Sequence, residues 1–276
     1  MINSIANLLG TIVRWIYNML GQNYGLSIII FAVLTKILLF PINIKQAKSM
    51  EKMKKVSPLE QEIRKKYKGD KEKMATEMQK VYSEHKINPL GGCLPALIQI
   101  PIILAMFYIV KQPLTYIKQM TKEEITPYVQ EILNTDKKIS DGQLRSYEIQ
   151  VANENKFINM NFLGVNFGDI PANSLNKKIE KRPSYYTLIV PILSLVLSII
   201  QTKQNIKNSN MTEEQKEQQK TMNMMMPFLS AYISYIMPIA LGVYWFVGNM
   251  CQIISQTLIN NVVKDKRIML DRGSIK

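Results

Sequence analysis

Apolar and polar residues are not spread evenly along this chain. Five stretches, residues 26–44, 90–110, 185–202, 222–237 and 241–263, are predominantly apolar. A helix needs about 20 such residues to cross a hydrocarbon core. The fourth stretch is shorter and fits with tilt or local thinning of the bilayer. Strongly charged segments lie between them. The pattern predicts an all-α membrane protein with five transmembrane helices.

The polar segments carry helical patterns of their own. Ahead of the first span, Ile2, Ile5, Leu9, Ile12, Ile16 and Met19 share one helical face, while Asn3, Asn7, Thr11, Arg14 and Asn18 lie elsewhere around it. This predicts an amphipathic helix in the outer interface; an extension of the first span is the alternative. Beyond the first span, residues 46–56 extend the helix into the cytoplasm. Ser57-Pro58-Leu59-Glu60 has the form of a capping box with proline at the first helical position, so a new helix is predicted there. Leu59, Ile63 and Tyr67 give it an apolar edge, Gly69-Asp70 end it, and Met74, Met78, Val81 and His85 mark a second helix. The two form an antiparallel hairpin with few apolar contacts, which is expected to be mobile. It is either a docking arm for cytosolic partners or a solvated link between spans. Residues 121–157 read as short polar helices and loops, and "NFLGVNFGDIP" is apolar enough to lie against the outer membrane face.

The chain therefore divides into an external interfacial helix (1–22), span one (23–45), a cytoplasmic helical hairpin (46–88), span two (89–111), an extracellular segment (112–183) and span three (184–203). A cytoplasmic loop (204–221), a hairpin of spans four and five (222–263) and a cytoplasmic tail (264–276) follow.

Polar residues inside the spans fall in rows. Thr187, Pro191, Ser194, Ser198 and Gln201 recur at steps of three and four in span three, and Asn223, Pro227, Ser230 and Ser234 do so in span four. In span five Trp245, Asn249, Gln252, Gln256 and Asn260 keep that spacing for four turns, and Gln99 is the deep polar residue of span two. Each row is one helix face. Such faces meet each other or water, because lipid leaves polar groups unsatisfied. Hydrogen bonding between packed helices accounts for many of them.

It accounts poorly for Lys36, which lies ten residues from Leu26 and eight from Ile44. About 12–15 Å of helix separates it from either end, more than its stem spans by snorkelling. Inserting a lysine costs about 2.5–3.5 kcal/mol. The Leu, Ile, Val and Phe residues of that span contribute about 4–8 kcal/mol, so the helix still inserts. No Asp or Glu occurs in any of the five stretches, so the cation has no countercharge there. A dry, unpartnered lysine sheds its proton; a charged one needs a wet cavity. The simplest solution is a hydrophilic groove lined by Lys36, Gln99 and the polar faces of spans three and five.

Charge orients this arrangement. The net charge of +14 suits nucleic acid in principle, but its distribution fits membrane topology better. Segment 45–89 carries 13 Lys/Arg against 7 Asp/Glu, and the tail 264–276 carries 5 against 2. Both face the cytoplasm under the positive-inside rule, which puts the N-terminus outside and the C-terminus inside. The segment 111–182, with 11 against 9, is too long for the rule to govern. No secretory signal peptide is evident. Cys93 and Cys251 both fall in predicted spans and form neither a disulfide framework nor a metal site, and His85 is the sole histidine. No phosphate loop, G-x-S-x-G or H-E-x-x-H motif occurs, so no cofactor and no enzymatic activity are expected. A transporter or channel is a rival reading, since intramembrane charges mark substrate paths, but repeated halves are not seen. An intramembrane enzyme is another, yet the spans hold no His, Asp or Glu to assist a nucleophile.

Three strings resemble one family. "NPLGGCLPALIQIPIILAMFY" looks like the second-span signature of the YidC family of membrane protein insertases, and "MNMMMPFLSAYISYIMPIALGVYWFVGNMCQIISQTLI" is similar to its closing hairpin. "YGLSIIIFAVLTKILLFPINIKQAKSMEKM" resembles its first span and the start of its cytoplasmic arm. The layout is similar to that of five-span Gram-positive members. The resemblance implies a multi-pass protein of the bacterial plasma membrane that captures hydrophilic segments of nascent clients in a cytoplasm-open groove and releases their helices into the bilayer. It places the family's groove arginine on Lys36, a point charge without a guanidinium fork. Its groove glutamine falls on Gln99 and its aromatic pair on Tyr244 and Trp245. The expected substrate groove comprises Lys36, Gln99, Tyr244, Trp245, Asn249, Gln252, Thr187, Pro191, Ser194 and Ser198. Implied partners are nascent membrane proteins, the ribosome, the targeting receptor, the Sec translocon and the lipid bilayer, with no sequence-specific nucleic acid. The lipoprotein cysteine and the long basic tail of some relatives have no counterpart here.

Overall fold

A computed structural model describes residues 2–88, 94–176, 183–207 and 213–273. Helix α1 (Ile2–Met19) leads into Gly21 and Gln22, two residues with left-handed backbone that reverse the chain. Asn23 then caps α2 (Tyr24–Lys66), its side chain accepting from the Leu26 amide at 3.0 Å. The hairpin partner is α3 (Lys71–Glu84), capped by Asp70, and α4 (Leu94–Lys111) follows. A π-helical turn (Leu114–Lys118) opens the external part, which holds α5 (Lys122–Leu133) and α6 (Asp141–Glu154). Both external helices start with complete capping boxes, Thr121 with Glu124 and Ser140 with Gln143. Helices α7 (Ile189–Lys207), α8 (Glu213–Ile236) and α9 (Ile239–Gly273) complete the chain.

The structure overturns one expectation and adds detail to three others. Residue 57 does not start a new helix. Helix α2 runs unbroken through Pro58 for 43 residues, about 65 Å at 1.5 Å per residue. Packing against α3 overrides the local capping signal: Val56, Ser57 and Glu60 are buried beneath it. Tyr82 of α3 is an electrostatic neighbour of Glu60, and burial together with that carboxylate pushes its phenol up to about 12, so it stays protonated.

The second point concerns how α1 meets the rest of the chain. Its buried residues are Ala6, Gly10, Val13, Ile16 and Tyr17, whereas Ile2, Ile12 and Met19 of the predicted apolar face are exposed. Small residues decide the rotation. A Cβ at Gly10 would sit 3.1 Å from Tyr116 Cβ, so glycine there lets the π-helical turn lie directly on α1. Third, residues 264–273 continue α9 as helix.

Fourth, the structure is not wholly helical. Strands β1 (Asn161–Phe162) and β2 (Val165–Asn166) form a short antiparallel hairpin turned by Leu163 and Gly164, both left-handed. Phe162 presses on Gly25, where a Cβ would approach Phe162 Cβ to 2.5 Å. The carbonyls of Phe167 and Asp169 accept from the Ala240 and Ile239 amides, which are free donors at the start of α9. The segment between α4 and α7 thus closes over the N-terminal ends of α2 and α9.

The core lies at that end. Buried residues of α2 run from Tyr24 through Ile28 and Phe31 to Thr35, and the next is Asn43. In α4 the buried side chains are Ala105, Met106, Ile109 and Val110, while Leu97, Ile100 and Leu104 are exposed. In α9 Ile239, Ala240, Leu241, Tyr244 and Val247 are buried at this end, and Ile259 is buried further along. Ile125, Val129, Leu144, Ile158, Met160 and Phe167 join the same cluster from the external segment. Among the described residues, α2 and the 185–206 stretch are long and apolar enough to cross a membrane, and Leu97–Lys111 and Met224–Ile236 are shorter apolar helices.

Candidate functional site

Lys36 sits where this core ends. Its turn of α2 follows the last residue of the continuous buried run, Thr35, and the side chain is itself half-buried. The ammonium donates to Gln99 Oε1 of α4 at 3.2 Å. The stem lies on α9, close enough that a Cβ at Gly248 would be 3.2 Å from Lys36 Cε. Cys251, one turn further along α9, is its electrostatic neighbour. No carboxylate pairs with it among the described residues. Three helices thus meet at one cation whose polar contact is an amide oxygen. That contact orients the ammonium without neutralising it.

Tyr244 is buried beside this point. Its hydroxyl neighbours Thr35 and Gln99 without forming a well-shaped hydrogen bond, and its ring lies 6.2 Å from that of Phe31. Trp245, Asn249 and Gln252 are half-buried on α9. Asn249 Nδ2 donates to Ser198 Oγ of α7 at 3.2 Å, and Asn43 Nδ2 of α2 donates to Gln252 Oε1 at 3.4 Å. Gln204 Nε2 of α7 reaches Thr257 Oγ1 at 2.9 Å. The polar row of α9 therefore stitches α9 to α2 on one side and to α7 on the other.

The row on α7 is buried at every predicted site position. Pro191, Ser194 and Ser198 are buried on α7, and Thr187 is buried in the 3-10 turn (Tyr185–Leu188) that leads into it. Ser194 accepts from Ser234 Oγ of α8 at 3.1 Å, and the Thr187 hydroxyl turns back to the Ser184 carbonyl at 2.8 Å. These four are buried, whereas Lys36, Gln99, Trp245, Asn249 and Gln252 keep partial access. Cys93 lies outside the described residues, and Cys251 is a free thiol. Among the described residues no cluster of His, Cys, Asp or Glu fits a metal.

Two participants were missed from the sequence. Asn43 lies seven residues beyond Lys36, on the same face of α2, so helical spacing alone points to it. Gly248 offered no such signal, because a missing side chain has no pattern until its neighbour is known.

A family model described as 60Kd inner membrane protein matches residues 15–266. The membrane protein insertase YidC of Fusobacterium nucleatum is 31% identical over 260 residues, covering 92% of this chain and 96% of that protein. This chain belongs to the YidC family. The namesake from Caldanaerobacter subterraneus is 31% identical over 261 residues, 95% of this chain and 96% of its own length. The one from Chlamydia trachomatis is 28% identical over 263 residues, only 29% of that longer protein. Membership in the YidC family makes this a protein of the bacterial plasma membrane, and the family is one of insertases rather than enzymes.

Proposed function

We propose that this chain inserts membrane proteins by capturing a hydrophilic client segment at Lys36 and passing its apolar helix into lipid. The observation that carries the proposal is the uneven burial around Lys36. Outward of it, α2, α4 and α9 share a dry core capped by the external hairpin; inward of it, burial on α2 lapses until Asn43. In our reading the space beside Lys36 is closed outside and open to the cytoplasm.

In this reading five helices span the bilayer, with the N-terminus outside and the C-terminus in the cytoplasm. Lys36, Gln99, Trp245, Asn249 and Gln252 line the groove, Tyr244 forms its roof, and Thr187, Pro191, Ser194 and Ser198 hold its wall together. An acidic external segment of a nascent client enters from the cytoplasm and pairs with Lys36, where low dielectric strengthens charge attraction. The client's apolar helix then leaves along α7 and α9, and its transfer into lipid supplies the free energy. The hairpin of α2 and α3 is the first contact for ribosome, targeting receptor or client, and the Sec translocon is a neighbour in the membrane.

Insertion of a single-span client with an acidic tail, reconstituted in vesicles, tests the capture step. Lys36→Glu is expected to lower it at least tenfold and Lys36→Arg to retain it. Full activity of Lys36→Glu would refute electrostatic capture.

A further inference from the structure

We infer that Gly248 is a positioning residue for Lys36: it forms the notch on α9 that lays the lysine stem down and points its ammonium at Gln99. Three observations converge. Gly248 is buried, ten residues into α9, where glycine is the least favoured ordinary residue for a helix interior. The space a Cβ would take is bounded by Lys36 itself, with Cε at 3.2 Å and Nζ at 3.9 Å. The far side of the same ammonium is held by Gln99 Oε1 at 3.2 Å. The cation is therefore gripped between the α9 backbone and one amide oxygen.

The geometry sets how substitutions act. Alanine brings its Cβ into tighter contact than side chains normally tolerate, and the flexible lysine end gives way by a few tenths of an ångström. Valine adds two methyls in the same direction and pushes the stem out of the notch. The Gln99 contact then breaks and the charge moves toward the inner opening of the bundle. Gly248 thus acts through Lys36 and touches no client.

The assignment to client handling rests on the capture role proposed above, and a double-mutant cycle separates the two. In vesicles holding the full chain, Gly248→Val is expected to lower insertion of an acidic-tailed client several-fold and to leave the same client with a neutral tail unchanged. Combined with Lys36→Ala, it should add no further loss, because residues coupled through one contact are not additive. An equal loss in both lysine backgrounds, or for both tails, overturns the inference. If Lys36→Ala alone leaves acidic-tail insertion intact, it is the capture reading that fails. A second measurement does not depend on insertion. The rate at which a water-soluble acylating reagent modifies Lys36, read by mass spectrometry, should change stepwise from Gly248 to Gly248→Ala to Gly248→Val. An unchanged rate in both variants contradicts the positioning role.

Discussion

Single residues carry the sharpest consequences, and outside the spans the clearest is Glu148. Its side chain is about 1% exposed on α6. It accepts from the Thr115 amide at 2.6 Å and the Thr115 hydroxyl at 3.0 Å, fastening the π-helical turn to the external helices. Burial pushes its carboxyl up to about 7, against the Thr115 hydrogen bonds, which favour the charged form. Tyr116 is its titratable neighbour, and Tyr116 itself faces Tyr108 and Arg145. The folded state therefore binds a proton more readily than the unfolded chain. Stability is highest below the ordinary carboxylate range and falls as pH rises toward about 7. Asp169 is also raised by burial and adds in the same direction. Glu148→Gln keeps an acceptor for the Thr115 amide and an amide donor for its hydroxyl. Thermal melts of the purified protein between pH 5 and 8 should show a decline in the native chain and a flatter profile in Glu148→Gln. An unchanged slope would place the pH dependence elsewhere.

At the scale of elements, the hairpin of α2 and α3 shows what local patterns capture and what they miss. The two helices, the Gly69-Asp70 break and the sparse packing were all legible: α3 has no buried residue. The join at Ser57 was not, because Pro58 tolerates either a helix start or a helix interior when packing holds it, and the deciding contacts come from α3. Tyr82 is the polar neighbour α3 offers to Glu60, whose Oε1 is buried without a hydrogen-bond partner. Tyr82→Phe leaves that carboxylate less satisfied, which costs about 1–3 kcal/mol. Hydrogen exchange of the α3 amides should accelerate roughly tenfold or more, at about 1.4 kcal/mol per factor of ten. Exchange at the native rate would show that other contacts hold the hairpin. The β-hairpin was illegible for a different reason. Leu163 occupies a left-handed position where glycine or asparagine is the usual signal, and its side chain is 87% exposed. On α1, the helical period was legible but the protein-facing side was not, since Ala6 and Gly10 are buried through their smallness rather than their oiliness.

For the whole molecule, the decisive feature was visible in one residue type at one depth. A lysine amid apolar residues, with no acid in any span, demanded a polar setting, and the structure supplies Gln99 and three meeting helices. The polar row of α9 was equally legible, though its job is partly structural: Asn249 and Gln252 tie α9 to α7 and α2. The burial of Thr187, Pro191, Ser194 and Ser198 could not be read from spacing, because a helical row looks alike whether it faces a neighbour or a cavity. The cap over the start of α9 also depends on contacts between residues far apart in sequence, such as Phe167 with Ala240.

The most direct test of the central claim is access to position 36. With Cys93 and Cys251 replaced by serine, a Lys36→Cys variant in sealed vesicles of either orientation is exposed to a membrane-impermeant thiol reagent. The account predicts rapid labelling from the cytoplasmic side and at least tenfold slower labelling from the outside. Inertness from both sides, or equal labelling from each, would contradict a hydrated groove closed to the exterior.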